Sequence, residues 1–483
     1  MLSSVSFVLD GRVVTIDFRN GSGFRPTTTV LQYLRTLPTH KGVKEGCAEG
    51  DCGACTVVLV EHAGDGILRY RAVDSCLMFL PMLHGKQLIT VENLRDPSGK
   101  LHPVQEALVR LHGSQCGYCT PGIVMSLFAL YKTPGQPAPE DIEDALAGNL
   151  CRCTGYRPIV DAASEACKHG GLDHFSEAEP ATLQLLRELP QESISIETAH
   201  QRYFRPSSVS EALVLKQKYP DALVIHGATD VALRVTKNHQ LLSEVIDLSG
   251  LEELRTIRDD GLSLFVGAGV NLSDLAPRVR EGFPALFDML TVFGSRQIRN
   301  LATLGGNLGT ASPIGDTLPV LMAYGARVVL ESMNGQRDIP LNAFLKGYRV
   351  TDRRPDELIQ GIIIPTPSPG VQVSSFKVSK RKDLDIATVS AGFRLALDGA
   401  RTVREVILAY GGMAEYVRRA VGTEEFLRGK TWARDTIEQA MLLIDKDFTP
   451  ISDVRGSAEF RRIVARNLLL KFWLGSLEPE ARS

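Results

Sequence analysis

The chain has 483 residues, 44% hydrophobic and 23% charged, which describes a soluble globular protein of several domains and excludes a disordered chain. A formal net charge of -2, with Lys and Arg scattered rather than blocked, excludes a basic groove for nucleic acid. The N-terminus MLSSVSFVLDGRVV lacks a basic stretch followed by an apolar one, and no uncharged apolar run is long enough for a bilayer. No signal peptide and no membrane association are therefore expected, and the reducing cytoplasm is the expected compartment.

In chain order, residues 5–9 and 12–16 are apolar-rich runs joined at Asp10-Gly11, a tight-turn dipeptide, and predict a hairpin. Residues 29–35 predict a short helix and residues 55–60 a buried strand. Beyond residue 90 the signals turn helical. Pro103, Pro121, Pro139 and Pro158 sit where first-turn prolines belong, with Thr120 as an N-cap and Glu140 and Asp141 in a first turn. Gly113, Gly135 and Gly148 supply the stops, so a four-helix bundle is expected. The stretch from 169 to 200 reads as a linker, with a helical patch at 182–188. After Pro206, strand-like runs at 222–226, 262–266, 327–330 and 358–364 alternate with helical ones such as 210–218. A strand-rich block follows at 375–380, 387–397 and 403–410, and a long helix at 458–473.

The cysteines carry the chemistry. All nine lie within the first 167 residues, and in a reducing compartment such crowding argues for metal rather than disulfides. Cys47, Cys52, Cys55 and Cys76 have the C-x4-C-x2-C…C spacing of a plant-type [2Fe-2S] loop. Gly46, Gly50 and Gly53 let backbone N–H groups approach the sulfurs, which a Cβ would hinder. Cys116 and Cys119, with Cys151 and Cys153, form a second set, C-x2-C…C-x-C, in which two helices opening at Pro121 and Pro158 aim positive ends at a cluster. Zinc is the alternative for each set; it fits the glycine-wrapped triplet poorly, and the C-x-C pair cramps a tetrahedral ion. Cys167 is left over and reads as a small core residue.

SQCGYCTPG and GNLCRCTGYRPI, following the plant-type loop, resemble the iron–sulfur module of the molybdenum hydroxylases, the xanthine dehydrogenase and aldehyde oxidase family. The resemblance implies a multidomain α+β chain. A β-grasp [2Fe-2S] ferredoxin domain spans 1–90, a helical-bundle [2Fe-2S] domain 91–168 and a linker 169–200. An α+β FAD-binding domain of the vanillyl-alcohol-oxidase/PCMH type spans 201–370, and a C-terminal α+β domain like the CO dehydrogenase flavoprotein 371–483. It also implies that Gln115 lies on the pterin side of the second cluster, as a relay from the molybdopterin.

Two glycine-rich stretches follow the linker: VIHGATDV at 224–231 and NLATLGGNLGTASPIGD at 300–316. Small residues in turns after strands suit a pyrophosphate, and equally suit ordinary structural turns. Gly267-Ala268-Gly269 lacks the third glycine of a Rossmann fingerprint. Both stretches are similar to the FAD loops of the same family. That resemblance implies FAD contacts at Val224, Ile225, His226, Gly227, Ala228, Thr229, Asp230 and Val231. It extends them to Phe293, Thr303, Leu304, Gly305, Gly306, Asn307, Asp316, Ile359 and Lys377. His226 and Ala228 stand where relatives often carry glycine or another small or polar residue, and His226 also reads as a partly buried turn histidine. Thr310, Tyr348, Asp383 and Ile386 match positions near an NAD+ site, although the charges at 380–385 equally describe a solvated strand edge.

The implied cofactors are two [2Fe-2S] clusters and FAD, with NAD+ as acceptor and molybdopterin on a partner. The implied partner is a molybdopterin-binding large subunit, in a heterotetramer of two copies of each chain. A relative that oxidises aldehydes or N-heterocycles shares this layout, and a stand-alone iron–sulfur flavoprotein carrier is the reading from another class. A benzoyl-CoA-reductase-type relative would need further cysteines, and residues 168–483 contain none.

Overall fold

The computed structural model describes residues 1–19, 23–63, 66–169 and 172–477. These form two compact units: residues 1–251 with 295–302, and residues 252–294 with 303–477.

The first unit opens on the expected hairpin, Ser4–Leu9 against Arg12–Asp17, turning at Asp10 and Gly11, both at positive φ. Three further strands complete a five-stranded sheet in the order Arg12–Asp17, Ser4–Leu9, Gln87–Ile89, Thr56–His62, Leu68–Asp74. Its one parallel pair joins the first and last strands in sequence, Ser4–Leu9 and Gln87–Ile89. Helix Val30–Thr36 starts at a capping box in which Thr29 and Gln32 exchange side-chain and backbone bonds.

The four proline-led helices are Pro103–Arg110, Thr120–Tyr131, Pro139–Leu146 and Arg157–Ala166. Thr120–Tyr131 is buried along almost its whole length, so it is the bundle's central helix. Thr120 is not its N-cap. Cys119 is already helical and accepts from Ile123 N–H, while the Thr120 hydroxyl bonds Ser114 at 2.7 Å.

The segment 169–200 corrects the expectation of a linker, though Gly170 and Gly171 lie outside the described residues. It carries the helix His174–Glu188, much longer than the patch at 182–188, and the strand Ile194–Glu197. Asp173 caps this helix at Ser176 N and is buried beside His102 at 2.9 Å and Lys132 at 2.9 Å. Leu186 and Leu189 join the bundle's apolar core. Tertiary pairing therefore overrides a polar sequence with Pro180 inside the helix.

A four-stranded sheet closes the unit, ordered Ile194–Glu197, Arg202–Arg205, Glu244–Asp247, Leu223–Ile225. By contacts, residues 201–251 and 295–302 group with the first unit and the rest of 201–370 with the second.

The second unit holds an antiparallel five-stranded sheet ordered Ile257–Asp259, Ser263–Gly267, Leu358–Pro365, Arg327–Ser332, Gly335–Pro340. Helices Leu272–Val279, Pro284–Thr291, Leu304–Thr310 and Thr317–Tyr324 accompany it. The C-terminal part is a sheet of Val371–Val378, Val389–Leu397, Val403–Gly411 and Arg418–Arg419, with helices Arg434–Asp447 and Ala458–Gly475. Its core gathers Phe393, Tyr410, Trp432, Phe448 and Phe472. Among the described residues, no helix is long and apolar enough to cross a membrane.

Candidate cofactor sites

The thiols of the first cysteine set approach in pairs. Cys55 and Cys76 are buried with their sulfurs 3.4 Å apart, and the Cys47 and Cys52 thiols bond one another. Among the described residues, no group of three or more His, Cys, Asp or Glu side chains is placed to hold a metal ion. Glu49 and Asp51 N–H groups donate to Cys47 Sγ at 3.4 and 3.3 Å. The loop can do so because Ala48, Gly50 and Gly53 take positive φ, and a Cβ on Gly46 would lie 2.7 Å from Cys52 Sγ.

The electrostatics follow from these donors. The hydrogen bond from Cys52 and the two backbone N–H groups bring Cys47 down to about 5, while the same bond raises Cys52. Cys55 is pushed well up by its bond to Cys76 and by burial. Burial also raises Asp74, 3.6 Å from Cys55, to about 7. A loop that presents N–H donors to sulfur is built for thiolates carrying net negative charge.

The second set pairs likewise, Cys116 with Cys153 and Cys119 with Cys151. Cys116 and Cys153 are exposed and Cys151 is buried. Cys119 is the N-cap of the central helix, and Cys151 N–H donates to Tyr156 Oη at 2.7 Å. Tyr156 is the N-cap of Arg157–Ala166, so Cys119 lies at one helix start and Cys151 is bonded to the residue that begins the next. The Tyr118 N–H lowers Cys116, burial raises Cys119 to about 12, and the Thr154 hydroxyl and N–H lower Cys151 against its burial. Gln115, beside Cys116, is exposed. Cys167 is buried in the bundle core as expected.

The residues expected around FAD fall into two groups. In the first unit, strand Leu223–Ile225 runs into a turn and then helix Ala232–Thr236. Gly227 cannot carry a side chain, because a Cβ there would lie 1.9 Å from Leu301 O. Ala228 is buried at φ 57°, a left-handed position that a glycine would occupy without strain. His226, Thr229, Asp230 and Val231 are half-buried. Ile225, Ala228, Ala232 and Leu301 share one apolar core with Cys55, Cys76 and Leu77. Lys237, just after the helix, donates to Cys47 O at 3.1 Å and pairs with Glu49 at 3.2 Å. The helix that follows the turn therefore reaches the first cysteine loop through Lys237.

In the second unit, Thr303 caps helix Leu304–Thr310 through Gly306 N at 3.0 Å. Leu304 and Gly305 N–H groups are taken by Val270 O and Ala268 O, and a Cβ on Gly305 would meet Ala268. Asn307 Oδ1 accepts from the Thr317 hydroxyl at 2.6 Å. Lys377 Nζ bonds Asp316 Oδ2 at 2.8 Å and donates to Val292 O at 2.7 Å, beside Phe293. Ile359 lies under Gly309. Burial raises Asp316 and Lys377 opposes it; the second oxygen, Oδ1, is buried with no partner. A glycine-bearing helix start and an orphaned carboxylate oxygen fit a polar, hydroxyl-bearing cofactor.

Of the positions expected near NAD+, Thr310 ends that helix half-buried, whereas Tyr348 and Ile386 are 62% and 49% exposed. Arg381 and Asp385 form an ion pair beside Asp383, as a solvated strand edge would. The sequence reading missed two buried side chains, Asn149 and Gln297; the only hint was Asn149 within GNLCRC.

Comparisons with known proteins agree with this arrangement. Four family models match in succession: a 2Fe-2S iron-sulfur cluster binding domain over 18–79 and a [2Fe-2S] binding domain over 90–164. They continue with the FAD binding domain in molybdopterin dehydrogenase over 196–367 and the CO dehydrogenase flavoprotein C-terminal domain over 374–476. Xanthine dehydrogenase/oxidase of Gallus gallus is 33% identical over 94% of the chain and 39% of its own length. Xanthine dehydrogenase of Emericella nidulans is 34% identical over 99% of the chain and 39% of its own length. The chain thus spans about two fifths of such relatives.

Two solved structures are also similar. Carbon monoxide dehydrogenase from Hydrogenophaga pseudoflava has TM-score 0.54 and 25% identity, covering 57% of this chain and 96% of that one. Quinoline 2-oxidoreductase from Pseudomonas putida 86 has TM-score 0.52 and 27% identity, covering 58% and 99%. With two [2Fe-2S] domains, an FAD-binding domain and the flavoprotein C-terminal domain in one order, the chain belongs to the molybdenum hydroxylase family as an iron–sulfur and FAD-binding electron-transfer chain.

Proposed function

We propose that this chain is the electron-transfer subunit of a cytoplasmic xanthine dehydrogenase, working with a molybdopterin-binding large subunit in an assembly of two copies of each. Cys47, Cys52, Cys55 and Cys76 would hold the first cluster, and Cys116, Cys119, Cys151 and Cys153 the second. FAD contacts are proposed within each unit by itself: the turn at 224–231 in the first, and the helix start at 303–307 with the Asp316–Lys377 pair in the second. When bound, the clusters supply one-electron carriers and the flavin exchanges electrons with NAD+ as hydride, which suits oxidation of hypoxanthine and xanthine to urate at a partner's molybdenum.

The chain's own side chains hold and tune these groups. Glu49 and Asp51 N–H donors spread negative charge from Cys47. Exposure of Cys116, Cys153 and Gln115 suits the second cluster to the pterin side, with Gln115 as relay. Burial of Cys55 and Cys76 in a core shared with the flavin turn suits the first cluster to the FAD side. That shared core is the observation that carries the relay. Thr310, Tyr348, Asp383 and Ile386 remain the proposed NAD+ vicinity. The likeness to quinoline 2-oxidoreductase favours a second reading, an N-heterocycle hydroxylase with the same layout.

Anaerobic titration of the cofactor-loaded chain with NADH tests the proposal. Flavin bleaching with two [2Fe-2S] EPR signals supports it. Reduction by dithionite but not by NADH would contradict the NAD+ end. The xanthine assignment is tested on the assembly with its large subunit, where a strong preference for quinoline-type substrates over xanthine would overturn it.

A further inference from the structure

The two cysteine loops meet through a buried polar junction. Leu150 N–H, one residue before Cys151, donates to the carbonyl of Cys52 at 3.0 Å. Beside it, Asn149 Nδ2 donates to Gly53 O at 3.0 Å and to Thr56 Oγ1 at 3.2 Å. Asn149 Oδ1 accepts from Ser126 on the central helix at 2.6 Å and from Gln297 at 2.9 Å. Gln297 also donates to Ser126 Oγ at 2.8 Å. Asn149, Ser126, Thr56 and Gln297 are all no more than 2% exposed.

Three glycines permit this approach. A Cβ on Gly53 would lie 2.3 Å from Gly148 O, one on Gly122 2.1 Å from Gly53 O, and one on Gly148 2.2 Å from Gln297 Oε1. The backbones of the two loops thus approach closely, with the Asn149 side chain seated beside the contact. Burying four polar side chains where apolar packing would serve stability calls for a reason of geometry.

We propose that Asn149, held by Gln297, is the positioning residue for electron transfer between the two clusters: it fixes the hydrogen bond from Leu150 N–H, in the peptide that precedes Cys151, to the carbonyl of Cys52. This rests on the ligand assignment under Proposed function. With both clusters bound, the transfer would be of a single electron from the second to the first, and Asn149 would exchange no proton in it. Asn149 touches no cluster sulfur; it acts by keeping the bridge short. Gln297, although it arrives from a distant stretch of sequence, completes the grip on Oδ1.

The test uses the full chain loaded with both clusters and FAD. It is reduced with a photochemical one-electron donor, so that neither NADH nor a molybdenum partner enters the result. Rapid-freeze EPR follows electron equilibration between the clusters, and the fully reduced sample reports their spin–spin splitting. In Asn149→Ala the equilibration rate should fall several-fold and the splitting should shrink, with cluster content and midpoint potentials unchanged. Gln297→Met should show a smaller loss in the same direction, and Asn149→Gln, which restores an amide, should recover part of the rate. An unchanged rate and splitting in Asn149→Ala would overturn the proposal. If Asn149→Ala loses a cluster, Gln297→Met decides alone, an unchanged rate there being the negative result. Absence of both clusters from the unmutated chain would instead defeat the ligand assignment on which the proposal rests.

Discussion

At the scale of single residues, chemistry is set by which groups are denied water. Asp173 is 2% exposed at its side chain and touches both His102 and Lys132. Burial opposes its charge, but the His102 and Lys132 bonds and the Ser176 N–H hold its carboxyl well below the usual carboxylate range. A depressed folded-state pKa means stability that is fully present above the unfolded carboxylate value and lost as pH falls through the folded one. Thermal unfolding should therefore show Asp173→Asn losing about 3 kcal/mol at neutral pH, because the buried Lys132 loses its nearest carboxylate and is left with the Ser176 hydroxyl and the more distant Glu179. The difference from the unmutated chain should shrink below about pH 4. Asp316 and Lys377 form a second buried pair, and here a cofactor is at stake. Lys377→Met should lower the FAD retained after purification and destabilise the protein by about 3 kcal/mol, read by flavin absorbance and denaturation. The cysteines give a sharper contrast: Cys47→Ser should abolish one [2Fe-2S] EPR signal and leave the other, and Cys119→Ser the reverse.

At the scale of elements, the decisive feature is backbone packed against backbone. Gly53 is at φ 68° and its missing Cβ is what allows the Gly148 carbonyl within reach. Gly53→Ala should cost about 2 kcal/mol from strain and overpacking, and should lower first-cluster content. Colorimetric iron and sulfide assays with a melting curve would check both.

The same scale shows what the sequence could and could not reveal. The short helical run at 29–35, the Asp10-Gly11 turn and the four prolines are local signals, and the corresponding elements appear within a few residues of expectation. The helix His174–Glu188 was hidden because its capping carboxylate is satisfied by His102 and Lys132, which lie 71 and 41 residues away. Asn149 and Gln297 were hidden for a related reason. A buried polar residue at a junction between loops has no periodicity, and in sequence it looks like any turn residue.

At the scale of the whole molecule, cysteine spacing disclosed the metal chemistry and resemblance disclosed the flavin, since glycine turns alone are ambiguous. By contacts, residues 201–251 and 295–302 group with the cysteine domains. That grouping gives the flavin turn and the Cys55–Cys76 pair one apolar core, which makes the first cluster the neighbour of FAD in the proposed relay. The central claim is that each cysteine set holds a [2Fe-2S] cluster. It is tested most directly by metal analysis and low-temperature EPR of the dithionite-reduced chain. Iron with acid-labile sulfide and two distinguishable [2Fe-2S] signals is the predicted result. Zinc in either set of freshly prepared protein, with one signal or none, would contradict it.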